Sequence, residues 1–291
     1  MMVFFKKQFF FLRYFILTVS TCSVCVQCGP AQIQTIKASN SSVNIHTSVL
    51  DRIKKSGVIR VGTTGDFSPF SYRLDSIGNA YHGIDIELAK DLGRALNAEV
   101  QFVETTWPSL MIDLHANKFD IGMSGITITL ARQQNALFSA PLLSSGKAAI
   151  TRDENTHLYN TIEAINSPGV RVIVNPGGTN ESFSRQHFPK ATIVENENNL
   201  SVFQKIVDGE VDLMVTDATE TLVQQLIHPE LEAVNPNEPF NFFEMGYLLP
   251  IDHTFKAYVD QWINLRLKDG TYQSIFDNEL AKIADRALSG N

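Results

Sequence analysis

From about residue 50 to about residue 280 the chain alternates short runs rich in β-branched residues with longer stretches whose apolar positions recur every three or four residues. Strands are predicted over 59–63, 99–103 and 120–123, with helices over 85–96 and 109–116 between and before them. A second series follows in the same rhythm: strands over 170–174, 192–195 and 212–216, and helices over 181–187, 200–208 and 219–228. This order is that of an α/β fold built on parallel sheets. Residues 144–151 join the two series, and a return strand over 242–249 precedes terminal helices. The chain therefore reads as two lobes crossed between twice: residues 48–144 with 245–291 form the first, and 145–244 the second. In such folds ligands sit beyond the strand ends, which puts the expected site in a cleft between the lobes.

The first thirty residues have a different character. Lys6, Lys7 and Arg13 precede an apolar run over 14–19 that is followed by small residues, the pattern of a secretory signal peptide. The run is far shorter than the roughly 20 residues that span a bilayer. Residues 31–47 are rich in Ser, Asn and Thr and read as a flexible tether. All three cysteines, Cys22, Cys25 and Cys28, fall in or beside the leader. Their even spacing suggests cluster ligation, but a cluster needs a fourth ligand and a folded cradle. The mature chain is thus expected to be periplasmic or secreted and without a disulfide, a lipid-anchored cysteine being the other reading.

Charge and motif content narrow the chemistry. A net charge of −7 offers no polyanion-binding surface, so nucleic acid is not an expected partner. The seven histidines are scattered away from metal-ligand spacing, and neither a nucleophile elbow nor a Walker-type loop occurs. No metal and no cofactor are expected.

Three segments leave strands in ways that suit an anionic ligand. Ser124-Gly125-Ile126-Thr127-Ile128-Thr129-Leu130-Ala131-Arg132 offers free backbone N–H groups, hydroxyls including Ser124 and Thr127, and the guanidinium of Arg132. Asn175-Pro176-Gly177-Gly178-Thr179-Asn180-Glu181 offers a second set, although Thr179 as a plain helix cap and Glu181 as a first-turn acid explain it equally well. Thr216-Asp217-Ala218-Thr219-Glu220 puts two carboxyls three residues apart, where each raises the other's pKa if the cleft is dry. Capping by Asp217 is the ordinary alternative. Phe67, Phe70 and Trp107 suit either an apolar wall over a ring or a core, and Lys147 stands where the chain first crosses between lobes.

Together, Gly62-Thr63-Thr64-Gly65-Asp66-Phe67, Gly83-Ile84-Asp85-Ile86, Trp107, the segment 124–132, Gly177-Gly178-Thr179 and Asp217 resemble the extracellular solute-binding proteins for polar amino acids. The resemblance implies a two-lobed, hinged periplasmic-binding-protein-like fold of type II. It also implies that Arg132, the 124–127 loop and Thr179 hold a ligand carboxylate, and that Asp217 holds its amino group. Within that group, Thr106-Trp107-Pro108, Ser145-Gly146-Lys147, Asn175 to Glu181, Val215-Thr216-Asp217-Ala218-x-Glu220 and Tyr258-Val259-Asp260-Gln261-Trp262 are most similar to the periplasmic cyclohexadienyl dehydratases. Transport-type relatives commonly carry a neutral residue where Lys147 stands.

That resemblance implies a carbon–oxygen lyase converting prephenate to phenylpyruvate and arogenate to phenylalanine, in phenylalanine biosynthesis. The reaction releases carbon dioxide and water and is driven by aromatisation of the ring. It implies Glu220 as general acid, with Glu181 in reserve, and Lys147 and Asn175 orienting the carboxylate and the leaving group. Phe67, Trp107, Ser124, Thr127, Arg132, Thr179 and Asp217 would bind substrate. A homo-oligomer is compatible with this, and no membrane partner is required. The alternative is a polar amino-acid-binding protein of an ABC transporter, which shares every feature except Lys147 and Glu220.

Overall fold

A computed structural model of the chain describes residues 47–74 and 80–289. The expected leader, its cysteines and all but the last residue of the expected tether lie outside the described residues. The first element is α1 (Val49–Ser56), opened by the Ser48 hydroxyl accepting from the Leu50 N–H and closed by Gly57 in the left-handed region. It leads into β1 (Val58–Thr63), the short hairpin β2 (Asp66–Phe67) and β3 (Ser71–Tyr72), α2 (Ile84–Leu96), β4 (Glu99–Glu104), α3 (Leu110–His115), β5 (Ile121–Gly122), α4 (Leu130–Gln133), β6 (Leu137–Phe138) and β7 (Leu143–Ser145). The chain then enters a second sheet through β8 (Lys147–Arg152), α5 (Ile162–Ile165), β9 (Arg171–Val174), α6 (Thr179–His187), β10 (Thr192–Glu195), α7 (Val202–Val207), β11 (Leu213–Asp217), α8 (Ala218–Ile227) and β12 (Leu231–Val234). It returns through β13 (Phe243–Met245) and β14 (Leu248–Leu249), and ends in α9 (His253–Lys268) and α10 (Thr271–Ser289).

The two sheets are topological copies. One runs β4-β1-β5-β14-β6 and the other β10-β9-β11-β8-β12. In each, the first three are parallel and the fourth is antiparallel to both its neighbours. The copy extends to side chains. Near the start of β1, Asp120 accepts from the Arg60 amide at 2.8 Å and from its guanidinium at 2.6 Å, while Arg60 Nη1 reaches the Asn117 carbonyl. At the start of β9, Asp212 accepts from the Arg171 amide at 2.7 Å and its guanidinium at 2.6 Å, and Arg171 Nη1 reaches the Glu210 carbonyl. Each clamp ties the first strand in sequence of its parallel trio to the turn before the third.

The parallel sheets expected from the alternating pattern are therefore mixed. The reason is topological: β8 and β14 enter their sheets from the other lobe and run against the strands already there. The expected return strand over 242–249 also divides. β13 pairs with β7 into a two-stranded ribbon, and after Gly246 β14 joins the first sheet. The outgoing and returning crossings thus lie side by side.

Each lobe has its own core, on both faces of its sheet. All five residues of β11 are buried, as expected of a strand covered on both sides. The Tyr258 to Trp262 segment docks α9 on the first lobe: Trp262 Nε1 donates to Asp91, the Tyr258 hydroxyl to the Ala95 carbonyl, and Asp260 accepts from the Ala140 amide. The lobes touch where Tyr72 and Ile283 pack on Val223 of α8, and where Asn199 Nδ2 donates to the Asp66 carbonyl at 3.0 Å.

Because the clamps are equivalent, Asp120→Asn and Asp212→Asn should each destabilise the protein by about 1–3 kcal/mol, the usual cost of weakening a charge-assisted, partly buried hydrogen-bond set. Urea unfolding followed by circular dichroism measures this, and an unchanged midpoint in either variant would contradict the equivalence.

Candidate functional site: an interlobe ligand cleft

The cleft is built from the loops that follow equivalent strands. In the first lobe, β1 leads to Asp66 and Phe67, and β5 leads to the segment 123–129. Phe67 stands edge-on to Trp107, with centroids 5.8 Å apart at 83°, and Trp107 Nε1 donates to Asp66 Oδ1 at 3.1 Å. Gly125 adopts φ +61°, and a Cβ there would come within 2.6 Å of the Phe67 ring, so both the turn and the aromatic wall require glycine. Arg132 folds back to donate to the Thr127 carbonyl at 2.8 Å. Burial pushes the Arg132 guanidinium down to about 10, against the opposing pull of Asp217. It remains a cation at neutral pH.

In the second lobe, β9 leads to Asn175 and the two glycines. Gly177, at φ +84°, lies so close to Pro108 of the other lobe that a Cβ would stand 2.6 Å from it. Gly178, not Thr179, caps α6, and Thr179 is the first helical residue. Its hydroxyl faces that of Thr127 across the lobes at 3.4 Å and accepts from Lys147 Nζ at 3.0 Å. Asn175 Nδ2 donates to the carbonyls of Asn196 and Glu197.

Lys147 is the centre of this half. It is 2 % exposed, and its ammonium donates to Asp217 Oδ1 at 2.5 Å, to Thr179 and to Asn180 Oδ1, and stands 4.9 Å over the Phe243 ring. Asp217 begins α8 without making a side-chain cap; its carboxylate serves the lysine instead. Asn180 passes the network on. Its Nδ2 donates to Thr216 Oγ1 at 2.8 Å, and Thr216 donates to Glu220 Oε2 at 2.5 Å.

Glu220 is 2 % exposed. Burial raises its carboxyl well above the ordinary glutamate range, Asp217 and Asp66 add to this, and the Thr216 hydroxyl and Lys147 oppose it. That environment favours the protonated form in a dry setting, with one oxygen held by Thr216. Glu181 is the opposite case. It accepts from the Gly177 amide at 2.8 Å and pairs with exposed Arg185, and both contacts hold its carboxyl below the usual range. That environment favours the carboxylate and disfavours the reserve role of general acid.

The enclosed space measures about 30 Å³ and is bordered by Phe67, Trp107, Gly125, Thr127, Arg132, Asn175, Gly178, Thr179, Asn180, Asn199 and Asp217. Lys147 and Glu220 stand directly behind that lining. Ser124 does not border it: expected to hold ligand, it is fully buried and bonded to the Thr64 hydroxyl at 2.8 Å. The free amides expected of both glycine loops are also partly committed, since the Gly125 N–H serves Asp85 and the Gly177 N–H serves Glu181. Sequence reasoning missed Asn180, Asn199 and Asp66. The first two follow recognised positions by one residue or lie in an unremarkable polar run, and only packing shows where they point. A larger hollow of about 480 Å³ shares Asn199, but the arginines beside it, Arg73 and Arg286, are matched by Glu104 and Glu279.

Residues 59–281 match the profile of the bacterial extracellular solute-binding proteins, family 3. The chain belongs to that family. It is 49% identical, over 80% of its own length and 86% of the other's, to the cyclohexadienyl dehydratase of Pseudomonas aeruginosa PAO1. To the histidine-binding periplasmic protein of Escherichia coli K12 it is 28% identical over 75% of this chain and 85% of the other. Among solved structures, an ancestral amino acid-binding protein described as a precursor of cyclohexadienyl dehydratase aligns with a TM-score of 0.74 at 36% identity, covering 80% of this chain and all of that one. An ancestral cyclohexadienyl dehydratase aligns with a TM-score of 0.51 at 47% identity, over 81% and 98%.

Since the Lys147–Asp217 pair is dry, removing only one partner leaves an uncompensated buried charge. Asp217→Leu should destabilise by about 3–5 kcal/mol, whereas Lys147→Met combined with Asp217→Leu recovers most of that. Thermal denaturation of the two variants reads the difference; a single variant as stable as the wild type would show that the pair is hydrated.

Proposed function

We propose that the chain is a cyclohexadienyl dehydratase, a hydro-lyase that converts prephenate to phenylpyruvate by decarboxylative loss of water. The observation that carries this over the transport reading is the position of Lys147. Its ammonium, 2.5 Å from Asp217, occupies the place where a carrier's aspartate would receive the ammonium of a free amino acid. A bound amino acid would have to displace a buried ion pair, while a 2-oxo acid would not. The same contact favours prephenate over arogenate. The 49% identity to a dehydratase, against 28% to a histidine-binding protein, agrees.

The residues then divide the work. Arg132, Thr127 and Thr179 hold the side-chain carboxylate, and Phe67 and Trp107 wall the ring. Asn175 and Lys147 orient the ring carboxylate and the leaving hydroxyl. The bond from the ring to its carboxylate breaks to release carbon dioxide, and its electron pair forms the last ring double bond as the carbon–oxygen bond opposite breaks. Glu220 gives its proton to the departing hydroxyl, which leaves as water, and solvent later restores the proton. Aromatisation supplies the driving force, so the chain's own acid and charges suffice.

A cleft of about 30 Å³ has room for about two waters on this measure, so a dianion the size of prephenate enters only when the lobes part. The paired ribbon of β7 and β13 is the hinge of that motion. Closure excludes water from the acid and strengthens every charge interaction around it. The family is extracellular, and an export signal in the first thirty residues accounts for a periplasmic site of action.

Mixing the protein with prephenate should produce phenylpyruvate, followed by its absorbance in alkali; tight binding of a cationic amino acid with no product would overturn the reading. Glu220→Gln should lower kcat by about 10²–10⁴ while KM stays within a few-fold. In the wild type, kcat should fall as rising pH removes the Glu220 proton, at a pH well above the ordinary glutamate range, because the acid is active only when protonated. A kcat in Glu220→Gln equal to that of the wild type would assign the proton to another group.

A further inference from the structure

Asp85, the second residue of α2, lies beneath the 124–127 loop and has no part in the chemistry above. Its Oδ2 accepts from the Gly125 N–H at 2.6 Å and its Oδ1 from the Tyr247 hydroxyl at 3.1 Å. The carboxylate is 5 % exposed and surrounded by Phe70, Ile126, Met245 and Tyr272. From α2 and the loop no titratable side chain faces it. The return segment contributes the Tyr247 phenol and α10 the Tyr272 phenol, both raised by burial. No lysine, arginine or histidine among the described residues around this pocket neutralises it.

An acid so placed is costly to bury, and its geometry shows what it holds. Gly125 borders the cleft and sits between Phe67, which walls the ring, and Thr127, which faces the ligand. Ser124, one residue earlier, is fixed by Thr64. The loop is thus pinned from behind at two successive residues, and its cleft-facing groups inherit their position from those pins. We propose that Asp85 is a positioning residue for ligand recognition: through the Gly125 amide it fixes the loop that presents Thr127 and Arg132 to a substrate carboxylate. This rests on the reading of the cleft as a carboxylate site.

The sign of a pH effect follows. Burial pushes the Asp85 carboxyl up to about 6, against its two donors. Ligand carboxylates and Asp85 carry like charge on opposite sides of one loop, so bound ligand raises the proton affinity of Asp85 further. A group raised in the complex favours binding below its free value and weakens it as pH rises through that value.

The experiment is the KM for prephenate from about pH 5 to about pH 8 for the wild type, Asp85→Asn, Asp85→Ala and Tyr247→Phe. The wild-type KM should rise several-fold through about pH 6. Asp85→Asn can still accept from Gly125 and donate to Tyr247, so it should keep the low-pH KM and lose the step. Asp85→Ala should raise KM by about tenfold at every pH, as loss of one buried hydrogen-bond partner does, with kcat little changed. Tyr247→Phe, which removes a donor that favours the carboxylate, should move the step to higher pH. A wild-type KM in Asp85→Ala, or a step retained in Asp85→Asn, overturns the proposal; if Asp85→Ala does not fold, Asp85→Asn alone decides. Absence of phenylpyruvate from the wild type refutes the dehydratase reading instead, and calorimetric titration of the same variants with L-arginine then decides this one.

Discussion

One buried ion pair organises the second half of the cleft. Lys147 leaves the hinge, Asp217 ends β11, and their contact at 2.5 Å fixes where the crossover strand and the helix carrying Glu220 meet. Such a pair contributes little net stability, since desolvation offsets most of the attraction. Its value lies in what it excludes and what it orients. It satisfies the aspartate internally, and it aligns Thr179 and Asn180, the second of which holds Thr216 against Glu220. On the proposed function, an ordinary binding cleft for amino acids and an acid catalyst for a keto dianion would differ by one internal cation and one buried carboxyl.

Much of the fold was legible because the hydrophobic periods were strong. Buried strands such as β11 and amphipathic helices such as α2 lie within a residue or two of their predicted positions. What the pattern did not contain is direction. Nothing in 147–152 distinguishes an antiparallel strand from a linker, because pairing direction depends on which lobe the chain has just left. The short pieces β2, β3 and β6 are held by pairing across the chain, not by local period. The division of 242–249 turns on Gly246, where the chain changes partners within two residues.

For the site, residue type and spacing identified which side chains gather, and packing alone determined their depth. Lys147, Asn175, Thr179, Asp217 and Glu220 converge. Ser124 resembled a ligand hydroxyl in sequence, yet its partner is Thr64, sixty residues away, and no local signal points to that. The same holds for Gly125, whose amide looked free until Asp85 was seen beneath it. Glu181 and Glu220 are both first-turn glutamates of helices. They differ because Glu181 lies on the side of α6 that meets exposed Arg185, and Glu220 on the side of α8 that faces the interior.

Lys147, Thr179, Asn180, Thr216, Asp217 and Glu220 all belong to the lobe between the two crossings, whereas Arg132, Thr127, Trp107 and Asp66 belong to the other. Parting the lobes would therefore separate Arg132 and Thr127 from Glu220 without dismantling the network that surrounds Glu220. The charge of Asp66, which adds to the proton affinity of Glu220, comes from the opposite lobe. On the proposed function, Glu220 would be reloaded with a proton while the door stands open to water, and would hold that proton most tightly once the door is shut.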